Sequence, residues 1–337
     1  MFKWLDHTPE TPEKVPAKPS AHAHGLRGSI ALARLDERLA TAPAPVRTGW
    51  VNRALIHEAV ASLRLNGAYV APHDLMLMFA DTLDRLHDQD LARAIDIHGM
   101  LATLTRRRPQ HLFNPRRLTA LTRLRARGNS GSHNERMPAW LRRNQRTPED
   151  MRDALEEALH PTAVAAWRSL PPLEAAAEII ARWHATGAAE NIGAAPGRAL
   201  AMAWVHRAGL TSAYYLLPSV GFLGHAADYR PDLDTRWRET FPEACDRAAV
   251  WGIRLHGRLA ASYRQIHEAA PGQRATSRMA ALADLLVASP ALSADKAAQS
   301  LGITPHAARG LLSRLEKKGL VNELTGRGSF RLYGLPQ

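Results

Sequence analysis

Residues 293–319, which read SADKAAQSLGITPHAARGLLSRLEKKG, contain two short helical segments separated by a glycine. Ser293 and Thr304 each precede one of the segments and belong to the residue types that cap helix N-termini. Gly302 permits a tight turn between the segments, because it has no side chain to crowd the left-handed backbone region. Pro305 stands at the first position of the second segment, where its missing N–H is not needed. This pattern predicts a helix-turn-helix.

The sequence on either side extends this motif. Ser277–Ala288 has apolar residues at helical spacing and ends at a Ser-Pro pair. Val321–Leu324 and Phe330–Tyr333 are short apolar runs, and Thr325–Gly328 between them has the glycines of a turn. Residues 274–337 are therefore predicted to form a winged helix-turn-helix with a small two-stranded wing.

We expect the contact between the two central helices to be formed by small and apolar residues, namely Ala297, Leu301, Ile303, Ala308 and Leu311. This leaves an outer face on the third helix of the motif, defined here as Thr304, His306, Arg309, Ser313 and Arg314. In DNA-binding proteins of this type that helix lies in the major groove. We therefore predict that the outer face binds DNA, together with Arg327 at the tip of the wing. The module carries nine Lys and Arg against four Asp and Glu, which favours double-stranded DNA as the partner. Docking on another protein is the alternative.

Composition is consistent with a polyanionic partner. The 337 residues include 44 Lys and Arg against 32 Asp and Glu, a formal net charge of +12, and such a charge attracts polyanions without specifying a fold. Cys245 is the only cysteine, so the chain cannot form an intrachain disulfide and a reducing cytosol is favoured. Neither a signal peptide nor a long apolar run is visible, and a cytoplasmic, nucleoid-associated location is expected.

Residues 106–146 carry twelve arginines and a single acidic residue, Glu135. The planar guanidinium group suits phosphate oxygens. One interpretation is therefore that arginines at both ends of the segment, Arg106–Arg108 and the group Arg142, Arg143 and Arg146, contact DNA phosphates and add affinity that depends on salt but not on sequence. The alternatives are a solvated basic face, or arginines paired with acidic helices elsewhere in the fold.

The organisation of the chain is predicted to be all-α before the wing. Residues 1–45 are rich in proline and charge and are expected to form a flexible tail, in which His22 and His24 are solvated and residues 30–39 form a short helix. Residues 46–270 form a helical domain, and a hinge is expected at residues 269–272. The predicted helices are Val51–Leu65, Pro72–Leu83, Leu91–Leu104, Thr147–Leu159, Leu173–Thr186, Gly197–Ala208 and Phe241–Glu268.

Two segments of this helical domain carry a resemblance. Residues 58–67 read EAVASLRLNG, and residues 197–219 read GRALAMAWVHRAGLTSAYYLLPS. They resemble the inhibitory helix, and the end of the active-site loop with its following helix, of the Fic fold, an all-helical domain of enzymes that transfer AMP to hydroxyl side chains. The resemblance implies a Fic-like body, for which a C-terminal winged helix is a common companion.

The loop that would carry Fic catalysis reads ENIGAAPGR over residues 190–198 and departs from the family pattern. Glu190 stands in place of the histidine base, Ala194 in place of the acidic metal ligand, and Pro196 within the anion cradle. Without these groups a hydroxyl has no proton acceptor and magnesium has no ligand. The sequence therefore predicts a catalytically inactive domain with no cofactor and no metal.

The chain as a whole is similar to a family of rhizobial-type proteins that join a domain of unknown function, the one numbered 1612, to a C-terminal helix-turn-helix. That resemblance implies DNA binding. We therefore expect a sequence-specific DNA-binding regulator, with a homodimer and a small-molecule or protein effector as possible partners. The alternatives are a divergent Fic-type AMP transferase and a helical adaptor that docks on protein through its winged helix. A nuclease site at the acidic residues Asp81, Asp84, Asp88 and Asp90 is disfavoured, because their spacing suits a solvated helix end.

Overall fold

A computed structural model of the chain describes residues 21–80, 88–115, 118, 148–189, 193–212, 217–232, 234–269, 278–326 and 331–336. Most of these residues are helical, as the all-α prediction requires, and three short strands lie near the C-terminus. None of the helices described is long and apolar enough to span a membrane.

The helical body comprises residues 21–269. Its helices are α1 (Ala21–Thr41), α2 (Ala44–Leu65), α3 (Pro72–Ala80), α4 (Gln89–Thr105), α5 (Pro148–Ala158), α6 (Pro161–Trp167), α7 (Pro172–Ala185), α8 (Ala194–Arg207), α9 (Pro218–Gly221) and α10 (Thr235–Glu268). Each of the seven helices predicted for this region overlaps one of them, although α2 and α10 begin seven and six residues earlier than predicted.

Helix α1 corrects the prediction of a flexible tail over residues 1–45. Leu32, Leu35 and Leu39 follow one another at three- and four-residue spacing, are buried, and pack α1 along α10. His24 is buried too, and its Nδ1 lies 3.1 Å from a carboxylate oxygen of Glu243. The short helix expected at residues 30–39 lies inside α1, which is longer at both ends. Pro9, Pro12, Pro16 and Pro19, which suggested the tail, precede residue 21 and lie outside the described residues.

Helix α10 forms the centre of the body. Its N-terminal part contributes Trp237 and Phe241 to the buried core, and the Trp237 ring stacks on Phe222 at a centroid distance of 5.8 Å. Further along, the carbonyl of Gly252 accepts a 2.8 Å hydrogen bond from the indole N–H of Trp50 on α2. The buried indole N–H of Trp50 thus has the acceptor that a buried polar atom requires, and the bond holds α2 against α10.

The C-terminal module comprises residues 278–336. Its elements are α11 (Arg278–Ala288), β1 (Leu292–Ser293), α12 (Ala294–Leu301), α13 (Pro305–Lys317), β2 (Asn322–Glu323) and β3 (Leu332–Gly334). The strands form one antiparallel sheet in the order β1-β3-β2, with Tyr333 of β3 placed between Leu292 and Glu323. Two strands were predicted. The third, β1, is only two residues long and immediately precedes a helix cap, so it has no alternating pattern of its own.

Helix α11 joins the module to the body. Arg53 of α2 is buried and has no carboxylate partner among the described residues. It donates hydrogen bonds to the carbonyls of Val287 (2.8 Å) and Ser289 (2.7 Å) at the C-terminus of α11. The neighbouring Asn52 donates to the carbonyl of Ala288 at 2.9 Å. A cation that donates hydrogen bonds to the last carbonyls of a helix also complements the negative end of the helix dipole. Burial lowers the pKa of Arg53 to about 10, which leaves it charged at neutral pH.

These contacts bear on the predicted boundary near residue 270. Helix α11 belongs to the C-terminal module by sequence, yet it packs against both α2 and α10 of the body. The hinge expected at residues 269–272 lies outside the described residues except for Ala269, whose carbonyl accepts a 2.9 Å hydrogen bond from Lys318.

Candidate nucleic-acid interface

Helices α12 and α13 pack against each other through small and branched apolar side chains. Ala297, Leu301 and Ala308 are buried at the contact, as predicted, while Ile303 and Leu311 are partly buried. Leu312 and Leu315 are also buried and were not included among the predicted contacts. With α13 fixed along this buried side, its opposite side faces solvent.

The turn between the two helices has the predicted chemistry. Gly302 ends α12 in the left-handed conformation, with φ of 62°, and the N–H of Ile303 reaches back to the carbonyl of Ala298 at 3.1 Å. The hydroxyl of Thr304 accepts a 3.2 Å hydrogen bond from the N–H of Ala307, so Thr304 is the N-cap of α13 with Pro305 after it. These local interactions set the angle at which α13 leaves α12.

Four residues of the outer face, namely Thr304, His306, Arg309 and Arg314, are exposed, and Ser313 is partly buried. His306, Arg309 and Ser313 follow one another at three- and four-residue spacing, so they share one side of the helix over a rise of about 10 Å. Neither Arg309 nor Arg314 makes an ion pair with any residue that the structure describes. Both guanidinium groups are therefore free to meet an external anion.

The turn that follows β2 is organised by one carboxylate. Glu323 accepts hydrogen bonds from the N–H of Thr325 (2.8 Å), the N–H of Gly326 (2.7 Å) and the Thr325 hydroxyl. Partial burial alone would raise the pKa of this carboxyl, but the bonds from Thr325 and Gly326, with the nearby charge of Arg331, lower it. The charged form of Glu323 thus holds the first half of the turn. Arg327, the predicted basic tip, lies outside the described residues.

The arginine-rich segment is described only at its beginning. Arg106, Arg107 and Arg108 are exposed and follow directly on the C-terminus of α4. Arg142, Arg143 and Arg146 lie outside the described residues, so their predicted contact with DNA phosphates stays a prediction.

The fold brings together the two segments that resemble the Fic domain. Arg198 at the start of α8 is 1% exposed, and its guanidinium donates to the side-chain and main-chain oxygens of Ser62 on α2 and, at 2.8 Å, to the hydroxyl of Tyr229. Its Cζ also lies 5.3 Å from the Tyr229 ring centroid. This arginine is therefore engaged within the protein. Glu190, the residue in the histidine position, lies outside the described residues.

Glu58, one turn before Ser62, is a buried acid that sequence reasoning did not identify as special. Its two carboxylate oxygens accept hydrogen bonds from the N–H groups of Ser219 and Val220, each at 3.1 Å, in the first turn of α9. Burial raises the pKa of Glu58 to about 7, although these N–H groups and the charge of Arg198 favour the ionised form. Its partners lie 161 and 162 residues away, a distance at which no spacing rule applies.

No group of three or more metal-binding side chains occurs within the described part of the chain. Asp88 is the N-cap of α4 and accepts from the N–H groups of Asp90 and Leu91, which accounts for its position by local structure. Asp81 and Asp84 lie outside the described residues.

Two comparisons with known proteins found similarity. A family model described as "Protein of unknown function (DUF1403)" matches residues 199–335, from α8 to the end of the sheet. The chain is also similar to "Uncharacterized protein y4cF" of Sinorhizobium fredii (strain NBRC 101917 / NGR234), with 26% identity over 374 residues, covering 92% of this chain and 95% of the relative. The family match crosses from the helical body into the C-terminal module, consistent with the packing of α11 on α2 and α10. The resemblance to the family numbered 1612 stays a prediction.

Proposed function

We propose that residues 278–336 form a winged helix-turn-helix and that the protein is a sequence-specific DNA-binding regulator of transcription, located in the cytoplasm with the nucleoid. In this proposal α13 enters the major groove of double-stranded DNA. A homodimer would place two such helices on half-sites about 34 Å apart.

The order of elements supports this assignment. A helix, a short strand, two helices and two further strands follow one another, and the first strand pairs with the last at the edge of the sheet. The outer face of α13 is exposed at four of its five residues. This exposed face, with a capped N-terminus and two arginines that form no ion pair with the described residues, is the observation that carries the proposal.

The electrostatics of α13 agree with the same partner. Arg309 and Arg314 lie on or beside the outer face, and Lys317 and Lys318 follow at its end, all exposed. Glu316 is the single acid within α13 and is partly buried. Phosphate contacts from such a helix position it, while side chains that reach base edges carry sequence information.

For the helical body we propose a Fic-like domain without catalytic activity. Two observations support it: the residues of the loop that depart from the Fic pattern, and the engagement of Arg198 by Ser62 and Tyr229, which occupies the guanidinium that would otherwise hold a nucleotide phosphate. A divergent AMP transferase and a protein-docking adaptor remain the competing functions, and labelled-ATP and DNA-binding assays separate them.

The test of DNA binding uses the full chain and a duplex recovered from a random pool by repeated selection. Affinities of the wild type and of Arg309→Ala are then measured by fluorescence anisotropy on the selected duplex and on a random one. A bidentate arginine–guanine contact contributes roughly 1–3 kcal/mol of discrimination. Arg309→Ala is therefore expected to weaken binding to the selected duplex about 5- to 150-fold, and binding to the random duplex much less.

Arg152→Ala serves as the matched control, because Arg152 is an exposed helical arginine that pairs with Asp153 and Glu156 beside it. It is expected to leave both affinities unchanged. Equal losses on both duplexes would assign Arg309 to backbone contact, and no enrichment of any duplex from the pool would reject the proposed function.

A further inference from the structure

A cavity of about 540 Å³ lies in the helical body between α2, the C-terminal end of α4 and α8. Its volume falls in the roughly 300–1,000 Å³ range of small-molecule sites. Part of its wall is apolar, formed by Trp50 and Leu55 of α2, Met202 of α8 and Leu217, all four of which are buried. A ligand with an apolar or aromatic portion fits this wall.

The lining of the same cavity also carries positive charge. Arg106, Arg107 and Arg108 line it together, and no carboxylate is present among the described residues of the lining. All three arginines are exposed, so their charges are held without a cost of burial. Arginines beside an apolar wall favour a ligand that joins an apolar portion to a negatively charged group.

The wall of the cavity is also the support of the C-terminal module. Val51 and Asn52 of α2 line the cavity, and Asn52 donates to the carbonyl of Ala288. The next residue, Arg53, donates to the carbonyls of Val287 and Ser289. The same turn of α2 therefore lines the cavity and holds the C-terminus of α11.

We propose that this cavity binds a small amphipathic anion, such as an aromatic carboxylate or sulfonate, and that the ligand alters DNA affinity through the contact of α2 with α11. The second half of this statement rests on the proposed DNA-binding function, and the first half does not. Under this proposal Arg106–Arg108 bind the anionic group of the ligand and not a DNA phosphate.

Binding is tested on the full chain without DNA, using 1-anilinonaphthalene-8-sulfonate and its uncharged counterpart N-phenyl-1-naphthylamine as fluorescent probes. Both are expected to bind at one site per chain, the sulfonate more tightly. The double variant Arg106→Ala/Arg108→Ala should weaken the sulfonate probe roughly tenfold or more and leave the neutral probe unchanged. Ala102→Trp, which places an indole in the cavity lining, should remove both.

The matched control for charge is Arg264→Ala, at an exposed arginine of α10 outside the lining of this cavity. The binding proposal is overturned if the wild type binds neither probe, if Arg264→Ala weakens the sulfonate as much as the double variant, or if the double variant weakens both probes alike. Since Arg106 and Arg108 are exposed, this arm stays informative even where Ala102→Trp does not fold.

Coupling is tested on the selected duplex with the sulfonate probe at saturation. We expect DNA affinity to change at least about fivefold. Probe affinity should change by the same factor when DNA is saturating, because linkage requires the two factors to be equal. In Ala102→Trp, DNA affinity should not respond to the probe. One-site probe binding without any change in DNA affinity would overturn the coupling alone, whereas failure to select a duplex would reject the DNA-binding function and leave the result for the cavity standing.

Discussion

The contact between α2 and α11 can be tested by replacing Gly49 with alanine. A Cβ at Gly49 would lie 2.0 Å from the carbonyl oxygen of Val287 and 3.0 Å from Nη1 of Arg53. An ordinary carbon–oxygen contact is about 3.3–3.6 Å, so α11 must move away by more than about 1 Å. The hydrogen bonds of Arg53 and Asn52 to α11 then exceed a hydrogen-bond distance.

The expected cost combines opposing terms. Overpacking costs about 1–3 kcal/mol, and each weakened hydrogen bond adds about 1 kcal/mol, whereas alanine in a helix gains up to about 1 kcal/mol over glycine. Gly49→Ala is therefore expected to lower the free energy of unfolding by about 3–5 kcal/mol and the melting temperature by roughly 4–7 °C, measured by calorimetry.

The matched control is Gly257→Ala in α10, where a Cβ would meet nothing within 4 Å. This substitution is expected to stabilise the protein by about 0.5–1 kcal/mol, so the two Gly→Ala changes should have opposite signs. If Gly49→Ala is as stable as the wild type, or more stable, the close approach of α2 and α11 is refuted.

Three further predictions follow from the buried acid, the arginine-rich segment and the loop before α8. Because the pKa of Glu58 is raised from 4.5 to about 7, the folded state binds this proton more tightly than the unfolded chain does. The free energy of unfolding should therefore fall by about 3 kcal/mol as the pH rises from about 4.5 to 7. Glu58→Gln should remove most of that pH dependence, as measured by thermal unfolding at a series of pH values. If Arg142, Arg143 and Arg146 contact phosphates, replacing all three with alanine should flatten the log–log salt dependence of DNA affinity by up to about 2–3 units; an unchanged slope with a lower melting temperature would indicate pairing within the fold instead. Incubation with labelled ATP and magnesium should give no transfer of AMP, and Glu190→His alone should not produce it, because the acid and the anion cradle are also absent; labelling by the unmodified chain would contradict the inactive interpretation.

The sequence predicted those features that depend on residues within about four positions of each other. The caps at Ser293 and Thr304, the turn at Gly302 and the helical segments of the body were readable, because each is stabilised by hydrogen bonds or apolar spacing inside one element. At α1 the same local reasoning predicted only a short helix at residues 30–39, because the prolines before residue 21 favoured an extended tail. It also missed β1, whose two residues acquire strand geometry only by pairing with β3.

Most of what gives the molecule its functional geometry was decided by contacts between distant parts of the chain. Arg53 meets α11 across 234 and 236 residues, and Glu58 meets α9 across 161 and 162. Nothing near either residue marks it as buried, since an isolated Arg or Glu in a helix is ordinarily solvated. The cavity beside α2 likewise exists only where three helices fail to fill the space between them. The sequence determined the local structure and the excess of positive charge; tertiary packing decided which of those charges are enclosed and which face outward, because burial depends on neighbours that local spacing does not specify.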